Sequence, residues 1–196
     1  MPVKQLFWVL VVLSLMVLLV NNLSLETVLR RVYPLYYTTV IAEESEKHGI
    51  DPFLVAAVIH VESRWQSSAV SPKGAAGLMQ LMPDTARWVA VQVRADYSPD
   101  ALMDPAANIL LGAWYLSYLL EIFPTLPAAL AAYNAGQGNV RRWLADGRWD
   151  GSLKTVDCVP FRETRTYIRR VTHIRDFYTR LYNSDWNQGE ETARSL

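Results

Sequence analysis

The chain of 196 residues contains a single cysteine, Cys158, which excludes an intrachain disulfide. One thiol and three scattered histidines do not form a metal-ligating set, so neither a metal nor a cofactor is expected. A lone cysteine reads as a small core residue before it reads as a nucleophile. No sign of charge dominates: 19 Lys and Arg balance 19 Asp and Glu, which removes the electrostatic footprint of a nucleic-acid-binding protein. Gly, Ser and Pro nowhere gather into a linker, and there is no repeat or low-complexity run. A convincing alternation of apolar and polar residues is also missing, so no sheet is expected. What the chain has is apolar bulk. Hydrophobic residues make up 51%, with seven Trp and ten Tyr, enough to bury one core of ordinary size.

Leu6 to Val20, LFWVLVVLSLMVLLV, carries no charge and only Ser14 as a polar residue, and Lys4 precedes it. Its 15 residues fall short of the ~20 that a free-standing span needs; extension through Leu25 reaches that length if Asn21 and Asn22 sit near an interface. No small-x-small cleavage site follows it, and no cysteine stands ready for a lipid. The expectation is an uncleaved signal anchor, giving a single-pass membrane protein with the rest of the chain outside. Secretion after signal-peptide cleavage and a buried core helix are the alternatives. Lys4 favours an inside N-terminus, whereas Arg30 and Arg31 weaken that bias. The domain reading is therefore an anchor over 1–29, one globular domain over 30–186 and a polar, frayed tail over 187–196.

Helix signals dominate the globular part. Tyr36 to Lys47 reads as a helix stopped at His48-Gly49. Asp51-Pro52 supplies an N-cap and a first-turn proline, and behind it Leu54, Val55, Val58, Ile59 and Glu62 fall on one stripe. Pro83 opens TARWVAVQV. Asp104-Pro105 repeats the cap signature before a helix to about Ile122, and Pro127 opens ALAAYNAG. Val140 to Leu144 forms a short helix, and a last one runs from about Arg162 to Tyr182. Residues 145–159 carry no decisive signal and leave irregular or hairpin-like structure open. The fold class is all-α.

Glu62 is the odd residue of its stripe. A carboxylate set against apolar groups is penalised as an anion, so its pKa should rise and suit a general acid near neutral pH. Trp65, three residues on, could shield it; the plainer alternative is a Glu bonded to backbone or to an arginine. After it, Ser71 and Gln80 flank a loop containing Gly74 and Gly77, with Met79 and Met82 adding flexible apolar surface. Together they could line a groove for hydroxyl and acetamido groups, although turn geometry and core packing explain the glycines and methionines equally well. Tyr133 and Asn134 end an Ala-rich helix. Glu163 offers a second acid, a helix-start charge or a partner for Arg162 or Arg165, with Tyr167 one turn later.

The chain resembles the lytic transglycosylase catalytic domain, the lysozyme-like soluble lytic transglycosylase group. The resemblance rests on ES followed by AVSPKGAAGLMQLMP, then DPAANILLGAWYLSYLL, ALAAYNAGQGNV and ETRTYIRRV in order, and covers roughly residues 37–182. It implies a lysozyme-like fold with Glu62 as the one catalytic acid and base. It places Ser71, Gln80, Met82, Tyr133 and Asn134 on the substrate, Glu163 at the floor of the site and Tyr167 nearby. Where many members read Asn-Pro after the ES pair, this chain has Ser67 and Ser68.

The implied reaction cleaves the β-1,4 bond between N-acetylmuramic acid and N-acetylglucosamine in peptidoglycan glycan strands, leaving 1,6-anhydromuramoyl ends. The implied partners are those strands and the cytoplasmic membrane, through the N-terminal helix. A hydrolase of the same build and a non-catalytic glycan-binding scaffold are the competing readings.

Overall fold

The computed structural model describes residues 3–22 and 25–194. The chain divides into two compact units, Met1–Leu35 and Tyr36–Leu196.

The first unit contains α1 (Val3–Asn22) and α2 (Leu25–Val32). α1 is apolar around most of its circumference, with Lys4 its only charged side chain. α2 is short and amphipathic, with Arg30 held to Glu26 at 2.7 Å one turn away. Among the described residues no helix is long and apolar enough to cross a membrane. The strictly apolar core of fifteen residues rises only about 22 Å, against a hydrocarbon core of ~30 Å. The expected single-pass span is therefore not met by the described helix, and the anticipated extension to Leu25 crosses Leu23 and Ser24, which lie outside the described residues.

The second unit holds α3 (Thr38–His48), α4 (Pro52–Glu62), α5 (Pro83–Val93), α6 (Pro105–Ile122), α7 (Leu126–Ala135), α8 (Gln137–Ala145) and α9 (Arg162–Arg194). Two 3-10 turns, Pro99–Met103 and Val156–Cys158, lie in the connections. The only β pairing among the described residues is the pair of isolated antiparallel bridges Val70 to Ala76 and Ala76 to Leu81. The all-helical expectation holds, and 145–159 folds as turns.

α4 is the centre of this unit. Asp51 caps it by accepting from the Phe53 N–H at 2.9 Å, and Pro52 fills the position where no N–H partner is needed. Phe53 to His60 are all buried, not merely one stripe, because α3 and α9 both pack on the helix. Burying each Val, Leu or Ile here stabilises by about 1.5–3 kcal/mol. Glu62 is thus the last residue of a helix sunk in the core. Asp51 also pairs with Arg175 of α9, fastening the start of α4 to its main neighbour.

α9 extends well past the expected end at Tyr182: its backbone stays helical through Arg194. Most of the tail expected to be frayed thus continues the helix, and residues 195–196 lie outside the described residues.

Candidate active site

α4 ends at Ser63, and the chain then takes left-handed backbone at Arg64 and Trp65, with φ of 50° and 68°. This reversal carries Trp65 away from its expected place over Glu62. Its indole is buried against Tyr36, Tyr37 and Tyr178, and its Nε1 donates to the Tyr178 hydroxyl at 3.2 Å. The same hydroxyl lies 3.0 Å from His60 Nδ1. Burial first, then the charges of Arg64 and Arg170, holds His60 below its usual pKa.

The surroundings expected of Trp65 come from two tyrosines. Tyr133 of α7 and Tyr167 of α9 lie nearly parallel, 6° apart with centroids at 6.5 Å. Both hydroxyls are pushed well above the usual tyrosine range, by burial first and then by the charge of Glu62. Glu62 itself is raised to about 7. Desolvation is the largest cause; the Tyr167 hydroxyl opposes it, the like charge of Glu163 adds to it, and Arg170 opposes it. The buried Tyr167 Oη faces the carboxylate closely enough to favour the anion, yet it completes no hydrogen bond of good geometry. It is a donor held ready beside the acid.

A cavity of ≈ 430 Å³ opens at this point, lined by Val61, Glu62, Asn134, Arg162, Glu163, Thr166, Tyr167 and Arg170. Four of the expected site residues meet here: Glu62, Asn134, Glu163 and Tyr167. Glu163 is exposed on the first turn of α9, so it stands at the rim and not at the floor that the resemblance implied. Asn134 is oriented by Thr164, a buried hydroxyl that donates to its Oδ1 at 2.8 Å. Among the described residues the Asn134 side-chain amide nitrogen makes no hydrogen bond.

Ser71, Gln80 and Met82 lie on the loop between α4 and α5, outside this lining. The Ser71 Oγ accepts from the Ala75 N–H at 3.0 Å and closes a tight turn. Gln80, at φ 47°, donates through Nε2 to the Ala69 and Gly77 carbonyls, each at 2.9 Å. Met82 is 43% exposed. The loop is tied to the site by Tyr133, whose hydroxyl donates to the Met79 carbonyl at 2.7 Å.

Asn108 is a residue that sequence reasoning missed. Buried in α6, it accepts from the Met79 N–H at 2.7 Å and donates to the Ala76 and Leu102 carbonyls at 3.1 and 2.9 Å. The approach is so close that a Cβ on Gly77 would stand 2.1 Å from the Asn108 amide and from the Leu102 carbonyl. The available signal is an amide inside the otherwise apolar helix PAANILLGAWYL. Thr164, Arg162 and Arg170 carry no comparable signal, since their helix is polar on every exposed side.

The second unit is thus a helical domain whose core helix ends in a desolvated carboxylate, with two stacked tyrosines beside it and a cavity lined mostly by polar side chains. Residues 39–154 match the family described as Transglycosylase SLT domain, and the chain belongs to that family. It is 37% identical over 158 residues to the soluble lytic murein transglycosylase of Escherichia coli, covering 78% of this chain and 24% of that protein. It is 29% identical over 168 residues to the membrane-bound lytic murein transglycosylase C of Actinobacillus pleuropneumoniae, covering 74% of this chain and 46% of that one. Among solved structures it resembles an inactive Glu-to-Gln mutant of the lytic transglycosylase Slt of Pseudomonas aeruginosa. The TM-score is 0.72 at 35% identity, over 79% of this chain and 26% of that chain. The chain thus spans about a quarter of the length of the soluble relative.

Proposed function

We propose that the protein is a peptidoglycan lytic transglycosylase that cleaves the β-1,4 bond between N-acetylmuramic acid and N-acetylglucosamine and leaves 1,6-anhydromuramoyl ends. The observation that carries this reading is Glu62, buried at the edge of a cavity in a domain of the SLT family, where desolvation raises its carboxyl to about 7.

In this mechanism protonated Glu62 donates to the leaving glycosidic oxygen. The substrate's own 2-acetamido group covers the positive charge developing at the anomeric carbon. Glu62, now a carboxylate, takes the proton of the C6 hydroxyl as that oxygen closes on C1, so no water is consumed. A pKa near the working pH lets one group serve both steps. Tyr167 offers its unspent hydroxyl to the anionic form, and Asn134 offers amide donors to a sugar substituent. Ser71, Gln80, Met82 and Tyr133 hold or border the adjoining loop, on which the strand would continue.

One observation supports a second reading. Glu163 lines the same cavity as Glu62, and a second carboxylate that activates water would make the enzyme a hydrolase. Product mass separates the two, since a hydrolysed end is heavier by one water. Digestion of purified peptidoglycan by the full chain should yield 1,6-anhydro muropeptides, and the Glu62→Gln form should yield none. Equal products from both would sink the assignment of Glu62.

For localisation, the proposal is that the N-terminal segment delivers the second unit to the outer side of the cytoplasmic membrane. Its support is the uncharged run Leu6 to Val20 behind Lys4. The length shortfall makes cleavage of that segment after export the alternative, which N-terminal sequencing of the mature protein distinguishes from retention.

A further inference from the structure

We propose that Arg162 and Arg170 form a carboxylate-binding bracket at the cavity, selecting glycan strands whose muramoyl substituent carries a free carboxylate. This rests on the peptidoglycan reading above and names which feature of that substrate the site distinguishes.

Both arginines line the cavity that contains Glu62. Both are exposed, and among the described residues neither enters an ion pair, whereas Arg169 and Arg175 on the same helix are paired with Asp157 and Asp51. Arg162, Thr166 and Arg170 follow one another at intervals of four along α9, so they stand on one face, with the outer two separated by roughly 12 Å of helix rise. Thr166 between them belongs to the same lining, its hydroxyl donating to the Arg162 carbonyl at 3.1 Å. Glu163 is the one anion of the rim, set against two guanidinium groups, and Glu62 adds little negative charge while it is protonated. The rim therefore favours an anion beside the acid, and it does so with planar donors suited to carboxylate geometry.

The neutral parts of an N-acetylated glycan have no use for two cations. A muramoyl residue does: its lactyl ether ends in a carboxylate when no peptide is attached, and in a stem peptide bearing carboxylates when one is. The shared chemistry is a carboxylate projecting from the sugar beside the bond to be cut.

The test measures binding of three probes to the full chain carrying Glu62→Gln, so that no turnover occurs. The probes are an N-acetylchitooligosaccharide with no carboxylate, peptide-free glycan strands with lactyl carboxylates, and intact strands with stem carboxylates. The expected result is tighter binding of at least one anionic probe than of the neutral one. That preference should fall roughly threefold for either Arg162→Gln or Arg170→Gln and about tenfold for the pair, and be partly restored when both are Lys. The preferred anionic probe identifies the source of the carboxylate. Rising salt should erode the preference in the parent more than in the double variant. An anionic preference that survives the double substitution, or a parent that binds the neutral probe equally well, overturns the inference. Failure of the wild-type chain to cleave peptidoglycan, with the arginine-dependent preference intact, would instead overturn the catalytic reading and leave the bracket standing. Thermal melting of each variant verifies that it is folded.

Discussion

At the residue scale, Glu62 combines function with a cost in stability. Its folded pKa of about 7 lies above the ordinary 4.5 of a solvated carboxyl, so the native state binds more protons between those values. Stability contributed by the protonated form is complete at low pH and declines as pH rises from about 4.5 to about 7. Glu62→Gln should therefore be more stable than the parent at pH 8, by on the order of 1–3 kcal/mol, and match it at pH 4. Calorimetry at the two pH values checks this, and equal melting at pH 8 would show that burial does not raise the Glu62 pKa. Activity has its own sign. The first step needs protonated Glu62, so the rate should fall as pH rises through about 7. Tyr167→Phe removes a hydroxyl that favours the anion and should move this alkaline limb to higher pH. A Tyr167 that only packs would leave the limb where it is.

At the element scale, the site depends on how the loop between α4 and α5 is held on α6. Asn108→Ala would strand one buried N–H and weaken two carbonyls, costing about 3–5 kcal/mol, and loosen the Met79 carbonyl that receives the Tyr133 hydroxyl. Denaturant midpoints should fall accordingly, with glycan cleavage lost in step. Gly77→Ala should be as damaging, because φ is 81° and the space for a Cβ is already filled. At the other end of α4, Asp51→Ala loses both a cap and the Arg175 pair, and a loss of about 1–2 kcal/mol is expected in equilibrium unfolding without a change in the pH profile. Helices with strong punctuation are legible from sequence: α4 and α6 begin where Asp-Pro places them. The end of α9 is not, because its apolar stripe stops at Tyr182 while helical backbone continues on a polar segment that periodicity does not detect.

At the scale of the whole molecule, the two units carry separate roles in the proposed function, targeting and cleavage. If the N-terminal segment is retained as an anchor, the full chain should remain with membranes under alkaline extraction, and a chain beginning at Tyr36 should be released. Release of the full chain, with the segment present in its N-terminal sequence, would refute anchoring. The short apolar core of α1 makes this a demanding test, since an apolar stretch short of the hydrocarbon thickness holds only by thinning the bilayer or by drawing flanking residues inward.

The sequence by itself determined the helical class, most helix starts and the identity of the proposed acid. Apolar spacing, Asp-Pro caps and an isolated Glu at the end of an apolar run are local signals, and the ordered ES, GLMQ, AYNAG and ETRTY blocks carried the family. Only the tertiary structure decided what surrounds that acid. Left-handed backbone at Arg64 and Trp65 turned the expected shield away, and α7 and α9 brought Tyr133 and Tyr167 to Glu62 from far along the chain. It also placed Glu163 on the rim, tied Ser71 and Gln80 by hydrogen bonds within their loop, and set Arg162 and Arg170 on the cavity. These are long-range contacts, and a carboxylate's pKa depends on the charges and solvent within a few ångströms of it, which no spacing along the chain specifies.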